Sequence, residues 1–484
     1  MIAARRGAQA GAGRRPVPAA APATPAARTT TGDRSPIPLP HPTPRLGRRH
    51  WPAFVLGLVG ALGALGTAPL AAQPGEAAPA EAACPQGVPP GARCLRGQDS
   101  ATSHYLIVMP ARWSGVLVVH AHGGPALGPP KASRADEDIK RWAITVEEGH
   151  AWAGSVFRQG GFAVTTAAED TERVRRIFLQ HVAQPRRTLL HGQSWGAMVA
   201  ARAGELFPSS WDGILLTSGV VAGPATYDFR LDLRAIYQHL CGNHPRPDEP
   251  AYPMWMGLPA DSRLSNEQLA ARVDECLGVR KPAAQRTPEQ AQRLKTIVDV
   301  VRIPENSVLG HLNWGTFSLR DVVEKVGGAS PFGNVGVRYS GSADDAALNA
   351  AVQRIPADAQ AAARFAADVD HAGRFRVPVL TTHGIGDSTV FVEGQDTLRQ
   401  RMQAAGNGER LVQTFVDSRE HSYLGDAIYP PLIEALLRWV EQGVKPSPGG
   451  IAARCAELRP AARAECRFVV DYAPRPLASR IPPR

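Results

Sequence analysis

Residues 188–197 read Thr-Leu-Leu-His-Gly-Gln-Ser-Trp-Gly-Ala: an apolar run, a serine between two glycines, then a helix-forming stretch over 198–206. This pattern confines the chain to folds in which a buried strand turns sharply into a helix. Positions two before and two after the apex of such a turn pack against neighbouring backbone, so Gly192 and Gly196 suit it. A serine hydroxyl is a poor nucleophile unless it is held exposed beside a base, and this turn does the holding. The helix that follows points backbone N–H groups at developing negative charge. With 47 glycines in 484 residues, a glycine-rich loop is the bland reading of the same five letters. The rest of the chain has to supply the context.

Short apolar runs and helical stretches alternate from residue 101 onward. Residues 105–109, 115–120, 162–166, 188–190, 211–217, 377–382 and 411–416 read as strands, with helices at 170–181 and 428–441. Buried strands alternating with helices predict an α/β fold with a doubly wound, mainly parallel sheet. Between about 223 and 372 the rhythm breaks and the chain reads as helical. Ser265 with Gln268, and Thr287-Pro288-Glu289-Gln290, are capping-box starts. Leu294, Ile297, Val298 and Val301 then repeat at helical spacing, and Ser342 and Asp358 begin two alanine-rich stretches. Strands resume at Val377, so this segment reads as a helical cap inserted into one domain rather than as a second domain. The expected organisation is an N-terminal extension and signal over 1–72, a linker with one cysteine loop over 73–100, core over 101–222, cap over 223–372, core over 373–443, and a tail over 444–484.

The net charge of +10 suggests nucleic acid until it is located. Residues 1–72 hold nine arginines, no lysine and one acid, Asp33, which leaves a nearly neutral remainder with no basic stripe. Nucleic acid is therefore rejected as a partner. Arg45, Arg48 and Arg49 precede an apolar run over 51–65, then small residues to Ala72, the pattern of a secretory signal cleaved near Ala72. Arg48-Arg49 ahead of Trp51 fits a twin-arginine signal. The run is short and glycine-rich for a membrane span, so no stable span is expected after cleavage; an N-terminal anchor is the alternative. The mature chain is expected to be secreted or periplasmic. All six cysteines follow the proposed cleavage, as three local pairs. Of 15 connectivities the simplest joins Cys84–Cys94, Cys241–Cys276 and Cys455–Cys466. No C-x-x-C or His/Cys cluster supports a metal, and no cofactor is expected.

A serine nucleophile needs a base, an acid to orient it, and donors for an oxyanion. In this kind of sheet they stand at strand ends in the order serine, acid, histidine. Asp387 follows the strand at 377–382 in a glycine turn, with Asp228 as the alternative acid. His421 follows the last strand, 34 residues beyond Asp387, and singles itself out by position among 14 histidines. His120-Ala121-His122-Gly123-Gly124-Pro125 ends the strand at 115–120 and supplies the oxyanion loop. The backbone N–H groups of Gly124 and Trp195 are the two candidate donors, and His122 reads as structural.

With these four elements the chain resembles the α/β-hydrolase family, over roughly 100–222 and 373–443. The resemblance implies a serine hydrolase working through an acyl-enzyme without metal or cofactor: Ser194 attacks, His421 moves the proton, Asp387 fixes the imidazole, and Gly124 and Trp195 hold the oxyanion. Within that family, His-Gly-Gly-Pro with Gly-x-Ser-Trp-Gly is similar to the proline iminopeptidase branch. That branch has a glycine where Ala126 stands, and its amine-binding cap glutamates find no match here. The layout is closer to secreted, capped bacterial esterases. The expected substrate is a small-molecule or oligomeric ester. Amide or aminopeptidase activity on the same residues is the alternative, and a non-catalytic exported binding protein is a third reading. Tyr252, Met254, Trp255, Met256 and Trp314 either line an acyl pocket or pack the cap.

Overall fold

The central strands of this chain are short and buried on both faces, so they need helices on both sides. The computed structural model describes residues 75–458 and 460–484. The proposed signal and its cleavage point lie outside these residues. In chain order the first part of the core holds β1 (Ala80–Ala82), β2 (Arg93–Gln98), β3 (His104–Met109), β4 (Val116–Ala121), α1 (Arg134–Glu147), β5 (Ala151–Ser155), α2 (Val164–His181), β6 (Arg187–Gln193), α3 (Gly196–Leu206) and β7 (Gly213–Thr217). Seven helices follow: α4 (Phe229–Cys241), α5 (Asn266–Leu277), α6 (Pro288–Val301), α7 (Val308–Asn313), α8 (Leu319–Lys325), α9 (Asp345–Ala351) and α10 (Ala359–Val369). The core resumes with β8 (Val379–Gly384), α11 (Gly394–Ala404), β9 (Leu411–Val416) and α12 (Tyr429–Gln442), and α13 (Pro448–Leu458) lies in the tail.

The nine strands form one sheet in the order β1-β2-β3-β5-β4-β6-β7-β8-β9. The pairs from β1 to β5 are antiparallel and all others parallel. The order reverses around β4, and helices cover both faces. This is the α/β-hydrolase fold, with a helical cap inserted between β7 and β8. One apolar core joins one face of the sheet to α2, α3 and the cap, and a second joins the other face to α1 and α12.

Both capping boxes form, at Ser265–Gln268 and Thr287–Gln290. Asp358 caps α10, whereas the helix expected from Ser342 is capped by Asp344. The three disulfides join Cys84–Cys94, Cys241–Cys276 and Cys455–Cys466. Three readings need correction. Residues 162–166 are not a strand: α2 begins at Val164. The Asp368 carboxylate of α10 caps that helix, accepting from the N–H groups of Val164 at 2.9 Å and Thr165 at 2.8 Å. The strand in this part of the chain is β5, whose Ala-Trp-Ala-Gly-Ser sequence has no β-branched residue. The expected linker over 73–100 contributes β1 and β2 to the sheet edge. The tail also joins the sheet: Phe468 bridges to Val416, Val469 N–H donates to Phe415 O at 2.9 Å, and Asp417 N–H to Arg467 O at 2.8 Å.

No helix among the described residues is long and apolar enough to cross a membrane. No group of three or more His, Cys, Asp or Glu among them could hold a metal ion.

Candidate active site

Ser194 sits at the turn from β6 into α3 with φ +56°, a left-handed conformation that costs a serine about 1–2 kcal/mol. The surroundings enforce it. Ser194 N–H donates to Thr217 O at 3.0 Å, and Ser194 O accepts from Ala197 and Val220 at 3.0 Å each. A Cβ on Gly192 would stand 2.6 Å from the Ala200 methyl, and one on Gly196 would collide with the carbonyls of Ala121 and His122 at the end of β4. The two glycines thus let the helix start lie against the neighbouring strand end, which projects the hydroxyl above the sheet.

Ser194 Oγ lies 2.7 Å from His421 Nε2. His421 Nδ1 lies 2.7 Å from Asp387 Oδ2. An acceptor carboxylate at Nδ1 selects the tautomer with its proton there, leaving Nε2 bare to accept from the serine hydroxyl. Asp387 Oδ1 accepts from the N–H groups of Thr389 at 2.8 Å and Val390 at 3.0 Å, so neither carboxylate oxygen is idle. Ser194 is 7% exposed and Asp387 4%, so both groups are largely withdrawn from water. The structure therefore brings together Ser194, His421 and Asp387 from the ends of β6, β9 and β8.

Asp228 is placed elsewhere. Its carboxylate stands 3.4 Å from the Arg484 guanidinium, and burial pushes it up to about 6. Arg484 also forms a two-pronged pair with Asp232, at 2.6 and 3.1 Å.

The loop expected to face an oxyanion is held by its carbonyl side. Gly123 O accepts from His122 Nδ1 at 2.7 Å and from Arg134 Nη2 at 3.1 Å. In a trans peptide the following N–H points the opposite way, so the Gly124 N–H faces away from both donors. Trp195 stands at the start of α3, its ring packed between Phe157 and Phe162. His122 is buried and stacked on Phe157 at 4.2 Å, and burial lowers its pKa. A cleft of about 200 Å³ opens beside these parts, lined among others by Pro125, Ala126, Lys131, Phe157, Gly160 and Trp195. Neither Ser194 nor His421 lines it.

None of the five cap residues singled out from sequence lines that cleft. Trp314 stacks on Tyr227 at 4.8 Å, Met254 is buried, and Tyr252 OH accepts from Arg234 Nη2 at 2.9 Å beside a separate cap cleft of about 360 Å³. Sequence reasoning missed the cap side chains that do reach the loop carrying Asp387. His311 Nε2 is 2.9 Å from Ser388 O, and Arg230 Nη2 is 3.3 Å from Thr389 O. They stand 77 and 159 residues from their partners, and no local pattern marks them.

No family model and no curated protein matches the sequence. Among solved structures, feruloyl esterase B from Aspergillus oryzae is 14% identical with a TM-score of 0.40, over 74% of this chain and 82% of that one. A rice cell wall degrading esterase, LipA from Xanthomonas oryzae, is 13% identical at 0.35, over 73% and 90%. An α/β hydrolase fold protein from Nakamurella multipartita is 16% identical at 0.31, over 75% and 98%. Likenesses this loose enter neither the fold assignment, which rests on the strand order, nor the chemistry.

Proposed function

We propose that this protein is an exported serine hydrolase that cleaves a carboxylic ester through an acyl-enzyme. The observation that carries the reading is the unbroken hydrogen-bond chain from Ser194 Oγ through His421 to Asp387, at 2.7 Å for each link. His421 Nε2 takes the serine proton as Oγ bonds to the ester carbonyl carbon, and Asp387 stabilises the resulting imidazolium. Backbone N–H groups of Gly124 and Trp195 hold the tetrahedral oxyanion. Collapse breaks the bond to the leaving alkoxide, which takes the proton from His421 and departs as an alcohol. Water then enters, gives a proton to His421, attacks the acyl carbon and releases the acid, and Ser194 regains its proton. None of these steps needs a redox partner.

Three disulfides and the arginine-led apolar run ahead of residue 73 support export. Ester is preferred to aminopeptidase activity because the amine-binding cap glutamates of the peptidase branch find no match in this cap.

The experiment is labelling by a fluorophosphonate probe. Labelling of the parent that disappears in Ser194→Ala, with the fold retained, is expected. A folded parent that never labels would sink the catalytic reading in favour of a binding protein. Faster turnover of an aminoacyl p-nitroanilide than of p-nitrophenyl esters would move the assignment to peptidase.

A further inference from the structure

Beyond β8 the chain turns through residues 385–390, and three consecutive carbonyls in this turn each accept from a buried side chain. Ser388 O takes His311 Nε2 at 2.9 Å, Thr389 O takes Arg230 Nη2 at 3.3 Å, and Val390 O takes His383 Nε2 at 2.9 Å. His383 belongs to β8 itself. The other two come from the cap, His311 on α7 and Arg230 on α4.

The peptide between 388 and 389 has its oxygen on His311, and its N–H donates to Asp387 Oδ1 at 2.8 Å. The peptide between 389 and 390 has its oxygen on Arg230, and its N–H donates to the same Oδ1 at 3.0 Å. A peptide unit is planar, so fixing its oxygen fixes the direction of its N–H. Each cap side chain therefore grips one end of a rigid plate whose other end grips the carboxylate. Donation to a carbonyl also polarises the peptide and strengthens the hydrogen bond that its N–H makes.

The two cap groups are themselves anchored. Arg230 is 4% exposed, and Nη1 donates to Thr226 O at 2.8 Å. Its guanidinium lies over the rings of Tyr227, Phe229 and Trp314 at 5.1, 4.7 and 5.0 Å. It makes no salt bridge among the described residues, and burial pulls its pKa down to about 10. A buried cation is costly without such partners, and one of those it has is a carbonyl two residues from Asp387. His311 packs edge-on to Phe229 at 4.8 Å, burial lowers its pKa, and its Nε2 donates to Ser388 O. After α7 the helix widens into a π turn, Trp314–Ser318, where Gly315 lies against the backbone of Arg230. Such turns recur at functional sites. Here it seats α7 against α4, so that both side chains meet one loop.

We infer that His311 and Arg230 are positioning residues for the acid: the cap aims the Asp387 carboxylate through two peptide planes, and so takes part in catalysis as well as covering the serine. The inference rests on the proposed triad. It makes the cap a component that turnover requires whatever the substrate.

The experiment compares His311→Leu, His311→Gln, Arg230→Met and Arg230→Lys in the full chain, with steady-state turnover of p-nitrophenyl acetate and circular dichroism to verify folding. His311→Leu and Arg230→Met are expected to lower kcat by about 10- to 100-fold with KM held within about threefold, the penalty of a displaced catalytic group. His311→Gln, whose amide N–H reaches the same carbonyl, and Arg230→Lys, which keeps a donor and the charge, are expected to recover most of kcat. Should His311→Leu fail to fold, His311→Asn, which retracts the donor, carries the same expectation. The deciding measurement adds His311→Leu to Asp387→Asn. Once the acid is disabled, loosening it should cost no more than about twofold further, because residues acting as one unit are non-additive. Unchanged kcat in folded His311→Leu and Arg230→Met would overturn the inference, and so would a full-sized loss persisting in the Asp387→Asn background. Full turnover by Asp387→Asn alone would overturn the triad reading, and this inference with it.

Discussion

Replacing Asp387 by asparagine changes one oxygen to NH₂, and the surroundings decide which. The position of Oδ1 faces two N–H donors, from Thr389 at 2.8 Å and Val390 at 3.0 Å. An NH₂ there would leave buried donors facing one another, at about 1–3 kcal/mol for each group left unpaired. The amide oxygen must therefore take that place, and the NH₂ falls where Oδ2 was, 2.7 Å from His421 Nδ1. Nδ1 then has to accept, so the imidazole proton moves to Nε2 and confronts the Ser194 hydroxyl, donor against donor. The base is lost with its geometry intact. A wrong tautomer of this kind costs about 10⁴-fold in kcat, about 5.4 kcal/mol of barrier. Stability should change by less than about 1 kcal/mol, because shape and the two N–H bonds are kept. The assay is kcat on a p-nitrophenyl ester, with the thermal midpoint as control. A kcat within tenfold of the parent, in a protein of unchanged midpoint, would refute the reasoning. Loss of activity in Asp228→Asn instead would move the acid to Asp228.

Two further outcomes are expected. Removing Cys241–Cys276 by double alanine substitution opens a loop with a separation of 35 residues; chain entropy puts the loss at about 4 kcal/mol, read as a lower guanidinium midpoint, and an unchanged midpoint would contradict it. His120, His122, His191, His311, His371 and His383 are all buried with pKa values lowered by that burial, His191 to about 3. Below about pH 6.5 the unfolded chain gains protons that the folded chain refuses, so stability is full above that pH and falls as pH drops, by up to about 1.4 kcal/mol per unit for each such group. Urea midpoints should be markedly lower at pH 5.0 than at pH 7.5, and equal midpoints would count against this account.

What the sequence disclosed follows from the range over which each signal acts. The turn at Ser194 is marked within ten residues: Gly192 is demanded by the start of α3 folding back on its own strand, and Gly196 by the end of β4 alongside. Asp387 and His421 could be picked out because strand order fixes where they belong. β5 escaped notice because burial on both faces, not β-branched residues, makes it a strand. The start of α2 is not legible locally because Phe162, Ala163 and Val164 look like a strand, and the carboxylate that caps the helix comes from Asp368, 204 residues on. His311 and Arg230 were invisible for the same reason: what distinguishes them is a carbonyl on another element. Local chemistry and layout could thus be read from the sequence, and long-range hydrogen bonds could not.

The tail that pairs with β9 has a consequence for handling the protein. β9 is the last strand of the sheet, and an uncovered last strand invites another chain to add to it. Residues 467–469 occupy part of that border, directly after Cys466, which is tied to Cys455 on α13. The sulfur bond therefore doubles as a latch on the border, and protection against fibre-like stacking depends on the oxidation state of the surrounding medium. Material produced in a reducing cytosol should be the more prone to associate border to border.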